Sequence, residues 1–179
     1  MMMVQSRAET KLLIVTEKPD LPDLLILMGP AGAGKSTLGL ALSNQTGWPF
    51  LEGDDYHPPE NKTKQESGVP LDDADRAKWL DQLISAANTS PAQRLVLACS
   101  ALTPYVQERL KTEIKRTVRL FLLLPSRQEL QTRLENRTDH FMPASLLEDQ
   151  LSALTIKEGT IHLTANSIEA LCAEIRSKL

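Results

Sequence analysis

The sequence predicts a three-layer α/β fold, a parallel sheet sandwiched between helices. Three observations carry this: short apolar runs alternate with longer stretches of helical period, the helical stretches open on recognisable caps, and a glycine-rich turn follows the first run. At 179 residues the chain has the length of one domain. Its composition, 41% hydrophobic and 24% charged, excludes general disorder and a fibrous repeat.

The elements follow in order. Residues 1–22 read as a flexible N-terminal extension, because they show no period and end in Lys18-Pro19-Asp20-Leu21-Pro22. Glu9 and Glu17 fit a mitochondrial presequence badly. Residues 23–179 then form a single domain. Leu24 to Met28 is a continuous apolar run, as expected for a strand covered on both faces. Further strands are expected at Trp48 to Leu51, Leu95 to Cys99, Val118 to Leu124 and Thr160 to Leu163. Between them, Trp79, Leu80, Leu83, Ile84 and Ala87 form a helical stripe behind the carboxylates of Asp72, Asp73 and Asp75, which suit a helix N-terminus. Thr103-Pro104 reads as an N-cap followed by proline at the first helical position, and Ser126 with Glu129 as a capping box. Asn166 to Glu169 has the same logic and opens a last helix with Ile168, Leu171, Cys172 and Ile175 on one face.

The net charge of −3 argues against a surface built to neutralise nucleic-acid phosphates, so any anion site must be local. No apolar run approaches bilayer-spanning length, and Leu12 to Val15 is too short for a signal-peptide core. A cytoplasmic protein without nucleic-acid or membrane partners is expected. Cys99 and Cys172, the only cysteines, are too few for a zinc cluster or a disulfide framework and read as buried, reduced thiols.

Gly29-Pro30-Ala31-Gly32-Ala33-Gly34-Lys35-Ser36 matches the phosphate-loop pattern G-x-x-x-x-G-K-[ST] in full, between a strand and a helix as the motif requires. Glycines are needed because successive backbone N–H groups must converge on phosphate oxygens. The following helix aims its positive end at the same anion. In a nucleoside triphosphate site Lys35 bridges the β- and γ-phosphates, Ser36 offers its hydroxyl oxygen to Mg²⁺, and Thr37 reaches the α-phosphate. A guanine-nucleotide switch is excluded, since neither D-x-x-G nor N-K-x-D occurs.

Glu52-Gly53-Asp54-Asp55-Tyr56-His57-Pro58, Asn61, Lys64, then Gly68-Val69-Pro70-Leu71-Asp72-Asp73-Ala74-Asp75-Arg76 and Trp79-Leu80 resemble the gluconokinase family of small P-loop sugar-acid kinases. That family reads approximately [DE]-G-D-x-x-H-P-x-x-N-x-x-K-M-x-x-G-x-P-L-x-D-x-D-R-x-x-W-L. The resemblance continues through Cys99-Ser100-Ala101-Leu102 and His140-Phe141-Met142, covering about Leu24 to Leu154. It implies ATP- and Mg²⁺-dependent phosphorylation of D-gluconate at its 6-hydroxyl. It also implies a shikimate-kinase-like P-loop kinase fold with sheet order 2-3-1-4-5 and a lid, here about 133–145, with a substrate-binding segment about 54–90. A kinase for another small hydroxy acid or nucleotide and a nucleotide-binding regulatory module remain as alternatives, and a homodimer is compatible with the sequence.

Glu52 and Asp54, one residue apart at the end of an expected strand, project to the same side. Glu52 is assigned to the Mg²⁺ shell and Asp54 to the attacking hydroxyl. An acidic turn capping a helix is the structural alternative. Gluconate needs a cation for its carboxylate and neutral partners for its polyol. His57, Asn61, Lys64 and Arg76 supply that set, with Arg76 the leading carboxylate partner. Lys64 serves equally well to offset the acidic stretch from Glu52 to Asp75. Arg109 to Arg137 reverses the sign, and Arg133 and Arg137, one helical turn apart, are the expected lid arginines, with His140 nearby on the substrate side. Adenine is expected between the lid entry and Thr164 to Ser167. Two departures from the family pattern stand out: Gln65 replaces a methionine, and Leu154-Thr155-Ile156-Lys157 replaces Leu-Glu-x-Pro.

Overall fold

The computed structural model describes residues 21–136 and 146–179. The central strand β1 (Leu24–Met28) is wholly buried, as a run of five consecutive apolar side chains requires when both faces of a sheet are covered. It pairs in parallel with β3 (Leu95–Ala98) on one side and β4 (Val118–Leu123) on the other. The edges are β2 (Phe50–Glu52), beside β3, and β5 (Ile161–Leu163), beside β4. The order β2-β3-β1-β4-β5, parallel throughout, is the expected one.

Alternation along β1 feeds two cores. Leu24, Ile26 and Met28 pack with Trp79, Leu80, Leu83 and Ile84 of α3 (Asp73–Thr89) and with Val106 and Leu110 of α4 (Pro104–Glu113). Leu25 and Leu27 face the other layer. There they meet Leu38 and Leu42 of α1 (Lys35–Thr46), Leu130 and Leu134 of α5 (Arg127–Glu135), Leu147 of α6 (Leu147–Ala153), and Cys172 and Ile175 of α7 (Ile168–Ser177). Each such aliphatic side chain contributes about 1.5–3 kcal/mol by leaving water. Both cysteines are free and buried, and burial pushes the Cys99 thiol up to about 12. Among the described residues no helix is long and apolar enough to cross a membrane.

The element ends differ from the sequence reading where a backbone rule intervenes. β2 starts at Phe50, since Pro49 has no N–H to give the ladder, although its carbonyl accepts from Val96 N–H at 3.0 Å. The strand runs on to Glu52, opposite Ala98. The cap of α7 is Ser167, whose hydroxyl accepts from Ala170 N–H at 3.2 Å; Asn166 lies outside the helix. The caps at Thr103 and Ser126 form as expected, and α3 opens on a reciprocal box between Asp72 and Asp75.

One long-range contact fixes the segment between β2 and α2 (Pro59–Glu66). The Trp79 indole, 2% exposed, donates its N–H to the Gly53 carbonyl at 2.8 Å and stacks on the His57 imidazole, with centroids 4.4 Å apart and planes at 12°. Burial lowers the His57 pKa from 6.5 to about 4, against a smaller upward pull from Asp54, so the ring is neutral at physiological pH.

Trp79→Phe keeps the stack but strands the Gly53 carbonyl; urea unfolding should register a loss of about 1–3 kcal/mol, and an unchanged midpoint would refute the role given to this bond. The depressed His57 pKa makes its stabilisation complete above pH 6.5 and lost as pH falls toward 4. Between about pH 7.5 and about pH 5 this amounts to about 2 kcal/mol. Unfolding curves of wild type and His57→Gln at both pH values should therefore converge in acid, and a constant gap would contradict it.

Candidate active site

The site forms at the carboxyl ends of the strands, where β1 runs into the glycine-rich loop 29–36 between β3 and β4. Gly29 donates its N–H to the Ser100 carbonyl at 3.2 Å, and its φ of +145° lies where side chains are strained. A Cβ there would come within 2.2 Å of the Leu123 carbonyl oxygen. Backbone therefore meets backbone at the base of the loop, so only glycine fits there. Lys35 opens α1 and its ammonium reaches back to the Pro30 carbonyl at 2.9 Å, arching over the loop.

Across from the loop, Glu52 is the last residue of β2. Its carboxylate accepts from Asp54 N–H at 3.4 Å. Burial raises its pKa; the Ser36 hydroxyl pulls it down, Asp54 pushes it up, and Lys35 lowers it. Gly53 follows, where a Cβ would sit 2.4 Å from the Ala98 carbonyl oxygen. The strand ends there, and 53–56 turn as a short 3-10 helix. The expectation that Glu52 and Asp54 share a side through strand pleat is corrected: the turn, not the pleat, sets their relation. Asp54 lines the cleft with Lys35 and Ser36, while Asp55 is exposed.

The cleft encloses about 230 Å³, and His57, Gln65, Arg76 and Trp79 also line it. His57 Nε2 lies 4.0 Å from Asp54 Oδ1. Arg76 reaches the cleft with one guanidinium nitrogen 3.0 Å from Asp73. Asn61 and Lys64 do not line it. Asn61, 1% exposed, donates to the Asp75 carbonyl at 2.8 Å and lies 3.5 Å from His57 Nδ1. Lys64 is paired to Asp75 and, at 3.7 Å, to Asp72, which lowers the Asp75 pKa. Both tie α2 to the start of α3 and so hold the segment bearing His57 and Gln65.

On the other side of the loop a groove of about 1000 Å³ runs past Gly34, Thr37, Arg133 and the Thr164–Ser167 segment. Arg133 donates to the Gly32 carbonyl at 3.3 Å and lies 3.8 Å from Glu129. Arg137 and His140 lie outside the described residues. The described part of the basic run does not form one face of the cleft. Arg109 pairs with Asp81 and Glu113, Arg116 donates to the Ala87, Ser90 and Ala92 carbonyls, and Arg127 pairs with Glu148.

Two contributors were not legible as site residues. Gln150 of α6 accepts from the phosphate-loop Ala31 N–H at 2.7 Å, tying α6 to the loop. Trp79 reads as part of an apolar stripe and of the family motif but not as a group that fixes the site, although a buried indole N–H usually finds a partner. Among the described residues no group of three or more His, Cys, Asp or Glu could hold a metal. The adjoining Ser36 hydroxyl and Glu52 carboxylate are instead the sparse oxygen set that Mg²⁺ takes alongside water and phosphate.

The family model for shikimate kinase matches residues 31–171. The gluconokinase of Gluconobacter oxydans is 41% identical over 139 residues, covering 75% of this chain and 76% of its own. Among solved structures, a gluconokinase from Sinorhizobium meliloti superposes with a TM-score of 0.73 at 34% identity, over 88% of this chain and 95% of that one. A sugar kinase from Janibacter sp. HTCC2649 gives 0.77 at 28%, over 86% and 92%. A five-stranded parallel sheet around a complete phosphate loop, joined to relatives alike over most of their length, places the chain in the gluconokinase family of shikimate-kinase-like enzymes.

Proposed function

We propose that this protein transfers the γ-phosphoryl group of ATP to the 6-hydroxyl of D-gluconate, yielding 6-phosphogluconate and ADP. The observation that carries the reading is that Asp54 lines the same cleft as Lys35 and Ser36 of the phosphate loop. A triphosphate tail and an acceptor alcohol then meet between a cation and a carboxylate. In this reading the sugar oxygen bonds to the γ-phosphorus as the bond to the β–γ bridging oxygen breaks, and the hydroxyl proton passes to Asp54. Ser36 and Glu52 would hold Mg²⁺ beside the phosphates, where the ion would supply neutralisation of their charge.

Arg76 takes the gluconate carboxylate, and neutral His57 offers the polyol a hydrogen bond without adding charge. Arg133 and, from the lid, Arg137 stabilise the charge spread over the transferring group, with His140 closing on the sugar acid. Asn61 and Lys64 support the substrate segment from behind. Residues 23–179 make one kinase domain, with 1–22 an extension of it.

Coupled-assay ADP release with ATP and Mg²⁺ should rise well above the background ATPase on adding gluconate; no stimulation rejects the reading. Asp54→Asn should lower kcat by roughly 10²–10⁴ with the KM for ATP unchanged, so a variant turning over at the native rate would remove Asp54 from proton transfer. Lys35→Ala should lose roughly 100-fold or more in kcat/KM for ATP, as read from initial rates across an ATP series; native values would strip Lys35 of its phosphate role.

A further inference from the structure

Gln65 lies in the last turn of α2, is 8% exposed, and lines the cleft that holds Asp54, His57 and Arg76. Its Oε1 is buried with no hydrogen-bond partner. Buried amides in folded proteins almost always find partners, so an orphaned one asks for an explanation. Four described side chains carry such an atom: Gln65, Arg94, Gln107 and Thr160. Of these only Gln65 lines the cleft. Gln107 already donates its amide nitrogen to the Ala101 and Thr155 carbonyls, whereas Gln65 carries its unpartnered Oε1 on a side chain that lines the cleft.

The chemistry of that space narrows what completes it. Arg76 and Asp54 supply charges of opposite sign, and His57 is neutral. A primary amide adds one donor and one acceptor site without charge, which suits a hydroxyl better than a carboxylate or phosphate. A half-turn about its last torsion exchanges oxygen and nitrogen, and a hydroxyl can serve either. The gluconokinase pattern has methionine here, which packs against carbon, accepts a hydrogen bond only weakly through its sulfur and cannot donate one.

Resting on the gluconate reading above, we propose that Gln65 is a specificity-determining residue: its amide hydrogen-bonds one hydroxyl of the polyol chain and makes this protein more demanding of that hydroxyl than a methionine-bearing one. Sites that hydrogen-bond a substrate hydroxyl reject the analogue lacking it far more strongly than apolar pockets distinguish a methylene.

The test is steady-state kinetics of wild type, Gln65→Met and Gln65→Leu with gluconate and its mono-deoxy analogues. Both variants should lose roughly 10- to 100-fold in kcat/KM for gluconate, with an unaltered KM for ATP and a melting temperature no lower than wild type. On the one analogue missing the contacted hydroxyl, wild type and variants should become equal, while the gap persists on the others. The proposal is overturned if both variants keep gluconate kcat/KM within about twofold, or if every analogue suffers equally in wild type and variants. A wild type that ignores gluconate altogether brings down the gluconokinase reading and this proposal together, an outcome distinct from an active wild type indifferent to residue 65.

Discussion

A half-buried carboxylate is costly unless something answers its charge, and Glu52 is answered by the phosphate loop itself. The Ser36 hydroxyl meets it from the start of α1, and Lys35 lies close enough to lower its pKa. This junction joins the two halves of the active site. Glu52 can be there only because β2 pairs in register with β3, opposite Ala98. Gly53 must follow because the Ala98 carbonyl leaves no room for a side chain. The turn that begins at that glycine then carries Asp54 into the cleft. The position of Asp54 is therefore set by strand register and one close backbone approach.

Much of the fold was legible because its signals are local. Five apolar runs marked five strands, since strands covered on both faces need no polar alternation. The order of those strands came from the family resemblance, because periodicity says nothing of which run lies beside which. Caps at Thr103 and Ser126 were legible because capping acts within three residues; the shift from Asn166 to Ser167 reflects two good cap residues standing side by side.

The site was legible where it is covalently continuous, as in the loop and in Glu52 to His57, and illegible where distant residues meet. Nothing near Lys64 or Asn61 in the chain announces that both are taken up by Asp75, at sequence separations of 11 and 14. The basic run misled in the same way. Charge counted along a chain predicts a charged face only if the side chains point together. Here Arg109 and Arg116 turn instead to α3, binding Asp81 and the carbonyls around its end.

That distinction shapes how the substrate segment is held. Asp75 serves three partners at once: its carboxylate meets Lys64 and the Asp72 N–H, and its carbonyl meets Asn61. Four residues later Trp79 stacks on His57 and grips Gly53. The first turns of α3 thus clamp both α2 and the turn bearing Asp54, so the groups facing a sugar acid are positioned from one rigid helix. Polar residues that looked like ligands in the sequence act here as the fastening behind those that line the cleft. Preorganisation of this kind lets a small cleft discriminate among hydroxyls, because a side chain already fixed by its neighbours loses little freedom when the substrate arrives.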